Sequence, residues 1–234
     1  MDFFSNLYEI FIVNNGIGLV LDGLLNTLII ALSAIVIGIV IGIIVAAIKV
    51  TPVTGSKPRR ILTKVLQGIA NVYVAIFRGT PIVVQLLVIY FVMLSPLRVP
   101  ALIVAIIVFG LNSGAYVAES VRGGILAVDA GQTEAGRSLG LSYFATMSKI
   151  VLPQAIKNII PTLANEFVAL IKETSVAGMI TVMDITFATQ QIVSRVGDTF
   201  VPFITLALIY LVIVLIATYL IRLLEKRLRK GDKR

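Results

Sequence analysis

Long apolar runs alternate along this chain with short polar stretches. Four runs carry no charged side chain, Gly23 to Ile48, Gly79 to Leu97, Val99 to Ala118 and Thr199 to Ile221, and each approaches or exceeds the roughly 20 residues a helix needs to cross a bilayer. The pattern predicts four membrane spans at these places. A fifth stretch, from about Gln154 to Met183, is apolar but interrupted by Glu166, Lys172 and Glu173.

Charge placement decides whether the fifth stretch crosses, because basic residues gather at the cytoplasmic ends of spans. Only acids, Asp2, Glu9 and Asp22, precede the first run, whereas the tail after Ile221 carries Arg222, Lys226, Arg227, Arg229, Lys230, Lys233 and Arg234. The N-terminus is thus expected outside and the C-terminus inside, which requires an odd number of spans. The expectation is an all-α membrane protein of five transmembrane helices. Its divisions are an external segment 1–22, a membrane domain 23–227 and a basic cytoplasmic tail 228–234. The loop with Lys49, Lys57, Arg59, Arg60 and Lys64 falls inside, as does the polar stretch between helices 3 and 4.

Composition agrees: apolar residues make up 58% of the chain and charged ones 14%, with a mean hydropathy of +1.02, outside the range of a soluble domain. The net charge of +8 follows from topology and does not point to nucleic acid. There is no cysteine and no histidine, which excludes disulfides and leaves no evident nucleophile–base pair or metal-ligand set. The N-terminal stretch lacks the positive region of a cleavable signal.

The polar stretch between helices 3 and 4 is the most informative. Asp129 followed by Gln132 is a capping-box pattern that predicts a short helix from about Ala130. Gly140 is suited to ending it in the left-handed conformation. Ala130, Gly131, Ala135 and Gly136 let another backbone approach, while Glu134 and Arg137 share an exposed face. Ser142 is placed to cap a second short helix and Pro153 to open a third. Two short helices joined by a glycine elbow suit insertion into a partner's groove.

Ionisable and amide residues at membrane depth are costly and therefore candidates for function. Asn112, Tyr116 and Glu119 recur on one helical face, as do Glu166 and Glu173, with Asn165 and Lys172 on the adjacent one. At 1.5 Å rise per residue, Asn112 lies roughly 20 Å from the outer face and Glu166 roughly 18 Å from the inner one, so the two can meet near mid-membrane. Cavity lining and a helix–helix clamp are the competing roles. Gly38 and Gly42, four apart, read as a close-packing pair.

The run Glu134-Ala135-Gly136, three residues, Gly140, nine residues, Ile150-x-Leu152-Pro153 closely resembles the cytoplasmic EAA loop of ABC importer permeases, with Arg137 inside it. Only Gly136 departs from the family pattern, where a second alanine stands. Arg78-Gly79-Thr80-Pro81 followed by Gln85, Ala115-Tyr116-x-Ala118-Glu119 followed by Arg122-Gly123-Gly124, and Asn165-Glu166-Phe167 followed by Lys172-Glu173-Thr174-Ser175 are similar to the polar amino-acid uptake branch. Together they extend the resemblance over about Gly23 to Arg227. The Arg78 to Pro81 run also predicts a break in the second helix near the cytoplasmic face.

The resemblance implies a permease subunit in a bacterial cytoplasmic (inner) membrane, paired with a second permease subunit, identical or paralogous. It also implies a cytoplasmic ABC ATPase dimer, which binds the ATP and Mg, and an external solute-binding protein that delivers an amino acid. The loop 129–153 then couples the chain to the ATPase. The path is expected to involve Asn112, Tyr116, Glu119, Asn165, Glu166, Lys172, Glu173, Thr174 and Ser175. No cofactor is expected on this chain, and no Gly-rich phosphate loop with Lys and Ser/Thr occurs in it, so it is expected not to be an enzyme. The alternatives are an ABC permease for another small solute and an ion-coupled secondary carrier.

Overall fold

The computed structural model describes residues 3–229, all of it helix, turn or loop, with no strand among the described residues. The helices are α1 (Phe3–Tyr8), α2 (Gly16–Val50), α3 (Lys57–Gly79), α4 (Ile82–Leu87), α5 (Ala101–Leu126), α6 (Ala130–Ser138), α7 (Tyr143–Thr146), α8 (Leu152–Glu173), α9 (Ile185–Val196) and α10 (Phe200–Arg229). Of these, α2, α3, α5 and α10 are long and apolar enough to cross a membrane. Their exposed positions include Leu25, Leu32, Val40, Leu208, Leu211 and Leu215, which only a lipid solvent accommodates in such number. Asp2, Lys230, Lys233 and Arg234, used above for topology, lie outside the described residues.

Two expected boundaries are corrected. The run Gly79 to Leu97 does not form one unbroken helix: α3 occupies the sequence before it and stops at Gly79, and the run itself folds into α4, a π turn at Val88–Met93 and a 3-10 turn at Ser95–Leu97. Pro81 then takes an extended conformation as the cap of α4. The predicted break after Arg78 is present, where the 23-residue α3 ends. Proline has no N–H to give the preceding turn and restricts Thr80 as well, so the helix cannot pass through. Gln85, buried, closes the gap by donating from Nε2 to the Thr80 carbonyl at 3.0 Å and to Thr80 Oγ1 at 2.9 Å.

The second correction concerns the segment after Ser142. Tyr143 to Glu173 does not form a short helix and a separate third one. It runs through α7, a π turn at Met147–Val151 and α8 with helical dihedrals at both junctions. Pro153 sits just past the π turn, where the wider turn lets the chain accept a residue that clashes with the carbonyl four back.

The chain divides into two compact units. One comprises Met1–Val36, Thr80–Gly110 and Phe167–Tyr219. Its apolar cluster joins Ile10, Phe11, Val20, Ile192 and Val201. Gly23 meets the backbone of Asp184 and Ile185 so closely that a Cβ would lie 2.8 Å from the Asp184 carbonyl oxygen. Asn26 Nδ2 donates to Met183 O at 2.9 Å beside this contact. Asp184 caps α9 by accepting from the amides of Thr186 and Phe187.

The other unit comprises Ile37–Gly79, Leu111–Glu166 and Leu220–Arg234. Here Gly38 and Gly42 pack as the sequence suggested: a Cβ on Gly38 would lie 2.7 Å from Ser113 Oγ and one on Gly42 2.4 Å from Val117. Helices approach this closely only over small residues. Tyr73 donates its hydroxyl to Leu111 O at 2.6 Å, and Val74, Ala115 and Ala118 form the buried cluster beside it.

Candidate functional site

The loop after α5 is built from locally determined parts. Asp129 caps α6, its carboxylate accepting from the Gly131 amide at 2.7 Å. The expected reach-back of Gln132 does not form; its amide oxygen accepts from Gln154 Nε2 at 3.2 Å instead, tying α6 to α8. At the other end Gly140 has φ +82°. Its amide donates to Arg137 O at 3.0 Å and that of Leu141 to Gly136 O at 3.2 Å, the paired bonds of a Schellman ending. Arg137 Nη1 reaches forward to Leu141 O at 2.8 Å and braces the elbow. Ser142 Oγ then accepts from the Ala145 amide at 3.2 Å.

Gly136 is the point where the two arms of the elbow touch. It is buried, and a Cβ there would lie 2.7 Å from Thr146 Cγ2 and 3.0 Å from Ile150 Cδ1. Glycine at this position is thus a packing requirement of this chain, set by the buried Thr146. Glu134, Ala135 and Arg137 remain exposed, Ile150 and Leu152 are half-buried, and Pro153 is exposed.

Two residues not singled out from the sequence stand out here. Leu139 is 81% exposed and Phe144 is 80% exposed, one on each side of the Gly140 elbow. Apolar side chains projecting from an otherwise polar, hydrogen-bonded loop are the mark of a contact surface. Only part of this signal is in the sequence: Leu139 and Leu141 both flank Gly140, and only the fold shows that Leu141 is half-buried while Leu139 and Phe144 project.

Glu119 is the hub of the same unit. Its Oε1 lies 2.5 Å from Lys49 Nζ. Its Oε2 accepts from Arg122 at 2.8 Å and 3.1 Å, and Arg78 Nη1 stands 3.9 Å away. Arg78 also lies over the Tyr116 ring, 5.2 Å from its centroid, a cation–π distance. Tyr116 and Glu119, predicted on one face, are joined through Arg78. Asn112 on that face is buried and donates from Nδ2 to Phe77 O at 3.0 Å, a clamp between α5 and α3.

The remaining predicted residues lie on α8 and the 3-10 turn that follows it. Asn165 is exposed and Glu166 half-buried. Lys172 is exposed, Glu173 and Ser175 are half-buried, and Thr174 is buried with its hydroxyl on Ile171 O at 2.7 Å.

Tyr143 donates its hydroxyl to Val50 O at 3.4 Å, linking α7 to the end of α2. Burial pushes its pKa up, so the phenol stays protonated as a donor.

Comparison with known proteins agrees with this architecture. The profile of the family described as binding-protein-dependent transport system inner membrane component matches residues 38–230. The arginine transport system permease protein ArtQ of Bacillus subtilis is 39% identical over 166 residues, covering 70% of this chain and 76% of that protein. The glutamine transport system permease protein GlnP of Escherichia coli K12 is 36% identical over 164 residues, covering 69% and 75%. Among solved structures, the crystal structure of an amino acid ABC transporter with histidines superposes with a TM-score of 0.83 at 37% identity, over 97% of this chain and 99% of that one. A multi-pass apolar helix set, an EAA-type loop in a capped elbow and a family profile over most of the length converge. The chain belongs to the binding-protein-dependent transport system inner membrane components, the ABC importer permeases, and is a transport component rather than an enzyme.

Proposed function

We propose that this chain is one half of the translocation path of an ATP-driven importer of polar amino acids in a bacterial cytoplasmic membrane. The observation that carries the reading is the capped elbow of α6 and α7 with Leu139 and Phe144 projecting from it. In the proposed topology α8 is the fifth span, the N-terminus is external, and the loop 129–153 and the C-terminus are cytoplasmic. The elbow seats in a groove of a separate ATPase dimer that binds ATP and Mg. A second permease subunit completes the path, and an external binding protein delivers the solute. Relatives named for arginine and glutamine support substrates that share the α-amino and α-carboxylate groups.

The construction supports alternating access. Closure of the ATPase pair carries the elbow, and because α7 continues into α8, the displacement reaches the segment bearing Asn165 and Glu166 without an intervening loop. Glu166 is proposed to receive the ammonium or a cationic side chain of the substrate.

The test is reconstitution with ATPase and binding protein in liposomes, measuring uptake of labelled arginine and glutamine. ATP-dependent uptake that is competed by amino acids and lost in Gly140→Pro is the expected result. Uptake driven by an ion gradient without ATP would overturn the reading. Unchanged transport of every amino acid in Glu166→Gln would remove Glu166 from the path.

A further inference from the structure

A cavity of about 420 Å³ lies where the ends of α2 and α5 meet the elbow. Its size is that of a small-ligand site. Lys49 and Arg122 stand on its wall, and Ile125, Leu126, Tyr143 and Met147 line much of the rest. Glu119 accepts from both cations at once, so one carboxylate balances two positive groups, and Arg78 adds a third within 3.9 Å. At the polar end the two cations on the wall exceed the carboxylate by one charge, an excess that the carbonyl ends of α2 and α5, each roughly half a negative charge, offset. Arg78, off the cavity wall, tips the surrounding field positive.

The other end is apolar, and it leads outward: Leu126 is 65% exposed at the end of α5. A ligand matched to both ends has an anionic head and a hydrocarbon stem. A soluble anion would leave the apolar wall wet.

We propose that this cavity is a binding site for one anionic phospholipid, its phosphate held by Lys49 and Arg122 and the start of its acyl chain laid against Ile125, Leu126 and Met147. The placement rests on the proposed topology, which puts the ends of α2 and α5 at the cytoplasmic leaflet, where basic pockets between membrane helices capture acidic headgroups. Because Tyr143 and Met147 belong to the arm that continues into α8, and Ala130 and Thr133 of α6 also border the cavity, the lipid bridges helix ends and elbow. Occupancy would stiffen the elbow against the membrane.

The experiment uses the full chain, delipidated in mild detergent and titrated under native mass spectrometry, so it depends on neither ATPase nor uptake. The probes are phosphatidylglycerol, phosphatidylcholine with the same acyl chains, and glycerol phosphate. The expected result is one phosphatidylglycerol per chain, retained about tenfold more tightly than phosphatidylcholine, with no retention of glycerol phosphate. Met147→Trp fills the cavity and should remove the preference, and Met147→Phe should weaken it. Far-UV circular dichroism reports whether each variant is folded, and the milder variant keeps the test open if the larger one is not. Equal retention of the two lipids overturns the proposal, as does an undiminished preference in both folded variants. Retention of glycerol phosphate as tight as that of the lipid makes the site one for a soluble anion and overturns the lipid.

Discussion

The elbow of α6 and α7 and the Glu119 cluster belong to the same compact unit and solve opposite problems. At Glu119 the strong electrostatic groups find partners inside the chain: a carboxylate with Lys49 and Arg122 on its oxygens and Arg78 nearby. At the elbow the backbone is satisfied by caps, a Schellman ending and an Arg137 brace, while the apolar Leu139 and Phe144 project outward without internal cover. In the first region the carboxylate is finished within the subunit, although the cations around it outnumber it. The second is internally braced but unfinished, with apolar side chains left uncovered, as the proposed docking role requires.

The comparison breaks most readily at its finished side. Glu119→Gln removes the anion and leaves three cations facing one another, and breaking a partly buried ion cluster in this way costs about 3 kcal/mol. A lowered thermal midpoint of the detergent-solubilised chain by circular dichroism is the expected outcome. An unchanged midpoint would mean that water already screens the cluster.

At the unfinished side the same assay should see little. Leu139→Ser together with Phe144→Ala should leave the midpoint of the isolated chain in place and weaken capture of the ATPase by about 2 kcal/mol, roughly thirtyfold. A pull-down titration with purified ATPase measures it. Loss of stability without loss of binding would assign these side chains to the chain's own packing.

Two smaller effects sharpen the contrast. Gly136→Ala forces a methyl into Thr146 and should cost about 1–2 kcal/mol by overpacking, reducing uptake per ATP hydrolysed. Adding Thr146→Ser removes the nearest methyl, although Oγ1 remains at 3.0 Å, and should recover part of that loss. Asp129→Ala deletes the α6 cap at about 1 kcal/mol, which hydrogen exchange of the Gly131 amide would register as faster local opening with the global midpoint unmoved.

Local chemistry was readable in the sequence where neighbouring residues decide the outcome. The Asp129 cap, the Gly140 ending, the interruption at Pro81 and the Gly38–Gly42 contact each depend on a residue type that one backbone geometry favours. The start of α3 at Lys57 was hidden because its first two turns are basic, with Lys57, Arg59, Arg60 and Lys64, which break any uncharged run. Continuity from α7 to α8 was hidden because Ser142 and Pro153 both read as helix starts, and the π turn that reconciles them has no sequence signature. The Glu119 cluster was half visible: Tyr116 and Glu119 share a face, but Lys49 comes from 70 residues away. Only tertiary folding could supply it.

The unbroken passage from Ser142 to Glu173 also dictates which changes of length the chain tolerates. Each residue of an α-helix advances its face by about 100°, so one residue gained or lost between Tyr143 and Glu166 would turn Glu166 away from whatever it now faces. The π turn at Met147–Val151 amounts to one such extra residue already absorbed. Insertions should therefore be found in the Thr51 to Ser56 linker, which lies outside any helix, and be absent from the arm that starts at the elbow.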